Sequence, residues 1–298
     1  MAYRNHDAFV DPARPKSDLG SLILGIIFIE LAFIFGFIIM YGVMTVLSQD
    51  PDAIYQGTTA GGMLIQLFTF AFFGIAVILV AELRHNRDFL SLIGNPFHVV
   101  RDFRATFIAL CMIMVLLEVI YLTFYGSQIL EVRNVFRWAA LLPISVLALL
   151  IQTGSEELFY RGYVQQQLAA RFNSPLIWLI VPNILFAWAH YSSEADYTSN
   201  MQTMIWTFSF GLVASDLTAR SGNLGPAFAL HLANNIAAML LYGEHGGQGS
   251  GLALILFPSV DADIAQGQSA ETILSIGLIY QLGFLLIIWL TARNALRR

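Results

Sequence analysis

Between Ser155 and Tyr163 the chain reads Ser-Glu-Glu-Leu-Phe-Tyr-Arg-Gly-Tyr, directly after the almost wholly apolar run from Trp138 to Ile151. A charged side chain at the centre of a membrane helix costs roughly 2.5–3.5 kcal/mol on insertion scales. Two carboxylates and a guanidinium at this place therefore need a purpose that leucine could not serve. On a helix Glu157 and Arg161 stand four residues apart, share a face and can pair. Glu156 is turned about 100° away from Glu157, so it needs a partner from another segment or must take up a proton. The candidates are His190, which closes the apolar stretch Ile184–Ala189, and His231, which opens His-Leu-Ala-Asn-Asn. His231 and Asn235 are again four apart, so one helical face presents an imidazole and a carboxamide together. Intramembrane acid, histidine and arginine handle protons, in catalysis or in proton-coupled transport.

The elements that carry these groups are membrane helices. The 298-residue chain is 57% hydrophobic and 12% charged, with a mean hydropathy of +0.68; soluble domains carry about 25% charged residues. Several runs exceed the roughly 18 apolar residues that mark a span. The pattern predicts an all-α, polytopic bundle of about eight spans: 21–47, 59–83, 103–125, 138–160, 175–191, 202–218, 224–243 and 272–292. Residues 1–298 read as a single transmembrane domain. The polar leader Met1–Gly20 precedes a run too long for a signal-peptide core, so Ser21–Leu47 reads as a retained helix.

Loop charge orients the bundle. Arg4, Arg14 and Lys16 precede span one, and Arg84, Arg87, Arg101 and Arg104 flank the loop after span two. Arg171, Arg220 and the terminal Arg293, Arg297 and Arg298 fall on the same side. The opposite loops hold Asp50, Asp52, Glu194, Asp196, Glu244, Asp261 and Asp263, with Arg133 and Arg137 as their basic residues. The positive-inside rule makes both termini cytoplasmic, in keeping with an even span count. Gly243–Gly251 reads as a flexible outer loop. The net charge of −5 says little about partners, and the single Cys111 forms no intrachain disulfide.

Three motifs occur in order across residues 150–240. Glu-Glu-x-x-x-Arg is met by Glu156, Glu157 and Arg161; Phe-x-x-x-His by Phe186 and His190; His-x-x-x-Asn by His231 and Asn235. The chain thereby resembles the CAAX prenyl protease and bacteriocin-processing (abortive-infection) family of intramembrane proteases. The resemblance implies an intramembrane endopeptidase acting on a peptide or membrane-proximal protein within the lipid bilayer of a prokaryotic plasma membrane, with no nucleic acid as partner. It further implies that Glu156 and His190 activate a water, that His231 and Asn235 stabilise the oxyanion, and that Glu157 and Arg161 hold Glu156 in place. That chemistry is sound: a carboxylate and an imidazole reaching one water make a general base, and asparagine donates to an oxyanion without ionising.

Alternatives stay beside this reading. Glu156, His190 and His231 could give zinc three ligands at an open site, although they lack the His-Glu-x-x-His spacing; the asparagine fits a metal-free mechanism better. A proton-coupled transporter would show repeated halves, which are not evident, and a non-catalytic immunity or scaffold protein would not need intact motifs. Glu30, Glu82 and Glu118 read as interhelical hydrogen-bonding groups, Asp216 and Arg220 as an i,i+4 pair, His245 as solvated, and Phe186 as packing beside the histidine. Tyr160 and Tyr163 either bond Glu156 or lie at the interface. The hydropathy boundaries hold Glu156 and His190 apart. Their meeting requires span four to shift to about 145–166 and span five to begin a few residues later, with Pro182 allowing a kink.

Overall fold

The computed structural model describes residues 3–47, 51–258 and 272–296. Arg297, Arg298, Asp50, Asp261 and Asp263, used above to orient the chain, lie outside the described residues. In chain order the helices are α1 (Arg4–Val10), α2 (Leu19–Leu47), α3 (Pro51–Gln56), α4 (Ala60–His85), α5 (Phe89–Ile93), α6 (Pro96–Tyr125), α7 (Val135–Glu157), α8 (Gln166–Arg171), α9 (Pro175–Trp188), α10 (Tyr197–Ser221), α11 (Gly225–Asn235) and α12 (Ile276–Leu296). The all-α bundle predicted from the sequence is what forms, and each of the eight expected segments coincides with a helix.

Their ends follow from local chemistry. Thr59, Asn95, Asn134 and Asp196 each accept a hydrogen bond from the first turn of α4, α6, α7 and α10, satisfying donors that have no partner inside a helix. Pro96 and Pro175 open α6 and α9, where a missing N–H costs nothing. Asn86 stops α4 in the left-handed region at φ 56°.

Five helical stretches are long and apolar enough to cross a membrane: Leu19–Val46, Ala60–His85, Phe89–Gln128, Val135–Arg171 and Ile276–Leu296. Their outer faces expose large apolar side chains such as Phe35 on α2, Val115 on α6 and Ile279 on α12, a surface suited to lipid rather than water. The remaining three expected spans differ in kind. Pro175–Trp188 and Gly225–Leu241 are shorter apolar helices, and α10 is long but mixes polar residues with an apolar middle.

Three features depart from the sequence reading. Helix α7 continues past Glu157 through a π-helical segment, Leu158–Gln165, into α8, making a 37-residue stretch to Arg171 that spans about 55 Å at 1.5 Å per residue. The expected shift of span four toward the C-terminus is thus an extension, while α9 begins at Pro175 as hydropathy placed it and not later. A small sheet, ordered β1 (Glu131–Val132), β3 (Ile255–Phe257), β2 (Tyr242–Glu244), caps one end of the bundle, with β1 antiparallel and β2 parallel to β3. The segment Gly243–Gly251 is consequently built into structure rather than being a free loop. Arg133 explains why: its Nη1 donates to the carbonyls of Ser250, Gly251 and Ala253 at 2.7, 3.0 and 3.2 Å.

The polar leader also packs down. Tyr3 donates to Asp216 at 2.8 Å, Asn5 to the Arg220 carbonyl at 2.8 Å, and His6 stacks on Trp178 with ring centroids 4.4 Å apart.

Candidate active site

Helices α7, α9, α10 and α11 meet around Arg161, whose side chain is fully buried. Its Nη1 donates to Glu157 Oε1 at 3.0 Å, the i,i+4 pair expected from the sequence. Its Nη2 donates to Asn183 Oδ1 and to the Gly211 carbonyl, both at 3.2 Å. The guanidinium also lies 4.9 Å from the centroid of the Phe186 ring, a cation–π contact that desolvation strengthens. Gly211 permits this approach, since a Cβ there would overlap the Asn183 carboxamide.

Glu157 serves a second partner. Its Oε1 lies 2.7 Å from His231 Nδ1, so the carboxylate accepts from both the guanidinium and the imidazole. An ionised acceptor beside arginine draws the Nδ1–H tautomer, which turns the Nε2 lone pair outward. There it faces Glu156, whose Oε2 lies 3.5 Å from His231 Nε2. The partner that Glu156 required from another segment is therefore His231. The two adjacent glutamates bracket one imidazole, and all three side chains are buried.

His190 stands apart. It follows the last turn of α9, is exposed, and its Nδ1 lies 2.8 Å from the Phe186 carbonyl. Its ring packs on Phe186 at 4.6 Å, and Phe186 in turn lies 6.1 Å from the His231 ring. Among the described residues no hydrogen bond or ion pair joins His190 to Glu156. Phe186 thus packs against both histidine rings. Nor, among the described residues, do three or more His, Cys, Asp or Glu side chains gather as a metal-binding group. The Glu156, His190 and His231 set does not fit a zinc ion in this arrangement.

Asn235 lies one turn beyond His231 and is buried, its Nδ2 donating to Gln152 Oε1 at 2.8 Å. Gln152 is one turn before Glu156 on α7, so α7 and α11 face each other through Gln152–Asn235 and Glu156–His231. Sequence reasoning missed Gln152 and Asn183. The four-residue spacing from Gln152 to Glu156 was the available signal for the first; Asn183 carried none beyond being polar in an apolar run. Tyr160 packs against Phe159 and Phe186, and Tyr163 Oη lies 2.8 Å from His85 Nε2, so neither bonds Glu156. The Asp216–Arg220 pair forms at 2.7 Å.

Both motif helices change pitch directly after their functional residues. The π-helical segment Leu158–Gln165 follows Glu157, and a second, Ile236–Leu241, follows Asn235. Such insertions recur at functional sites.

Comparison with known proteins falls on this region. Residues 138–237 match the family model described as type II CAAX prenyl endopeptidase Rce1-like. The family resemblance read from the three motifs is borne out over that part of the chain, which contains every motif residue. The uncharacterized protein YyaK of Bacillus subtilis (strain 168) is 27% identical over 131 residues, 44% of this chain and 44% of its own length. This chain thus aligns with less than half of that relative. No solved structure matches. Residues 138–237 are thus similar to CAAX-type proteases, and the five long apolar helices support an integral membrane protein.

Proposed function

We propose that this protein is an intramembrane endopeptidase, in a prokaryotic plasma membrane, that hydrolyses a peptide bond with a water activated at Glu156. The observation that carries the reading is the buried relay Arg161–Glu157–His231–Glu156, assembled from two distant stretches of sequence. Glu157, neutralised by Arg161, fixes the tautomer of His231 and aims Nε2 at Glu156. A water reaching both groups would lose a proton to the Glu156 carboxylate as its oxygen bonds to the scissile carbonyl carbon. Glu156 would return that proton to the departing amide nitrogen as the C–N bond breaks. The proton count closes on one carboxyl group.

The Asn235 carboxamide is the donor best placed for the developing oxyanion, where one preorganised donor contributes about 3–4 kcal/mol. Its present bond to Gln152 keeps the amide oriented, and substrate would compete for that N–H. The role first expected of His190, activating the water beside Glu156, passes in this reading to His231. His190 is left at the mouth, with its Nδ1 committed to the Phe186 carbonyl. Residues 150–240 act as the catalytic core, and 1–298 as one transmembrane domain with eight spans and both termini cytoplasmic.

The test follows cleavage of membrane-proximal peptides by purified protein in micelles. Glu156→Gln and His231→Ala should each lower kcat by about 10²–10⁴, the contribution of a positioned acid–base group. Cleavage that persists at the wild-type rate in both would remove the assignment. A strong chelator in the same assay should leave the rate unchanged; loss of activity restored by zinc would bring back the metal reading.

A further inference from the structure

A wide cavity of about 1330 Å³ opens between α6, α10, α12 and the small sheet. It borders the candidate active site across α11. Asn234 lines it and donates to Asn235 at 3.0 Å. Trp206 lines it as well and stacks on Phe210, which packs edge-on against His231 at 5.3 Å. Two rings, Trp206 and Phe210, thus stand between the cavity and His231 of the relay.

Its chemistry is one-sided. Two carboxylates, Glu118 and Glu244, face it, and among its described lining residues there is no lysine, arginine or histidine. Glu118 accepts from Tyr242 Oη at 2.6 Å, which fixes its carboxylate against the wall. Tyr242 and Glu244 are alternate residues of β2, so they share one face of the strand. Tyr121, Trp206, Tyr242 and Tyr280 add aromatic faces. Two carboxylates among aromatic rings on one cavity wall suit an organic cation, which gains ion pairing and cation–π attraction while its aliphatic stem packs on the rings.

We infer that this cavity is a specificity subsite that receives a basic side chain, lysine or arginine, of the peptide substrate. The inference rests on the protease reading for its meaning but not for its measurement. The direct test is binding, in micelles, of a dansyl-labelled Ala-Leu-Lys-Leu-Ala peptide and its counterpart carrying acetyl-lysine, followed by fluorescence anisotropy. The protein is used whole, with Glu156→Gln to prevent cleavage. The lysine peptide should bind about tenfold more tightly than the neutral one, the combined worth of a partly exposed ion pair and a cation–π contact.

In Glu118→Gln/Glu244→Gln the ratio should fall to about twofold or less with the melting temperature unchanged, since glutamine still accepts from Tyr242. Equal binding of the two peptides to the Glu156→Gln protein would overturn the subsite. So would a preference that survives the double substitution, or displacement of the lysine peptide by equimolar glycerophosphoethanolamine, which would assign the cavity to a lipid headgroup. Because the readout is binding, loss of cleavage in Glu156→Gln leaves this inference standing. Conversely, failed lysine selectivity leaves the hydrolytic centre untouched.

Discussion

Glu156 and Glu157 are neighbours of identical chemistry, and the structure gives them different partners, which makes their substitution a sharp test. Glu157 is fully buried and accepts from Arg161 at 3.0 Å and from His231 at 2.7 Å. Truncating one member of a buried pair leaves an uncompensated charge and costs about 3–5 kcal/mol. Glu157→Ala should therefore melt roughly 6–20 °C lower, taking about 2–4 °C per kcal/mol in a domain near this size. Glu157→Gln keeps a carbonyl that can accept both bonds but trades charge-assisted bonds for neutral ones, a loss of about 2 kcal/mol. Glu156 makes only the 3.5 Å contact to His231. Glu156→Gln should thus stay within about 1 kcal/mol of wild type while losing cleavage. Melting can be followed by maleimide-dye reaction with Cys111, the one cysteine of the chain. If Glu156→Gln destabilises as much as Glu157→Ala, or Glu157→Ala melts with wild type, the division of labour argued here is wrong.

Other outcomes follow from the same structure. A Cβ on Gly25 would overlap Tyr163 Oη, so Gly25→Ala should break the Tyr163–His85 bond and cost about 1–3 kcal/mol by overpacking, read from the melting curve. Arg133→Ala removes the donor to three carbonyls and should make the 245–251 segment markedly more sensitive to limited proteolysis, with cleavage sites mapped by mass spectrometry. Burial holds the His6 imidazole down, to about 4 from 6.5, with Arg14 adding to the effect. The native state therefore excludes a proton that the unfolded chain binds. Stability is full above pH 6.5 and falls by up to about 3 kcal/mol as pH drops to 4; His6→Gln should flatten that limb in a thermal-melt pH series.

The helical architecture and the motif residues were legible because both are local patterns: apolar run length for the helices, and four-residue spacing for Glu157–Arg161 and His231–Asn235. What stayed hidden was pairing between segments. Nothing in the sequence ranks His231 above His190 as the partner of Glu156; the choice depends on where α11 crosses α7. The continuation of α7 to Arg171 was hidden for another reason. Gln165, Gln166 and Gln167 end the apolar run, yet all three are buried. Hydropathy reads polar residues as exposed, whereas here Gln165 donates to the Ser215 carbonyl and Gln166 to the Ser91 carbonyl. The leader's docking was invisible similarly, because Tyr3, Asn5 and His6 find partners on α9, α10 and the π-helical segment, more than 150 residues away.

The helices that depart from the simple membrane pattern pack around α7, the one long apolar stretch that carries relay residues, Glu156, Glu157 and Arg161. Helix α9 supplies Asn183 and Phe186, α10 the Gly211 carbonyl and Phe210, and α11 His231 and Asn235; these are the two short helices and the more polar one. The long apolar helices α2, α4, α6 and α12 contribute no side chain to the relay itself. This separation has a physical cause. A carboxylate–imidazole–carboxylate relay can persist at membrane depth only if protein, not acyl chain, surrounds it. Polar helices can be tolerated there only where apolar ones shield them. Low hydropathy in α10 and short length in α9 and α11 are therefore consequences of housing the chemistry. In a chain of this composition the segments that least resemble membrane spans are the ones packed against the charged end of α7.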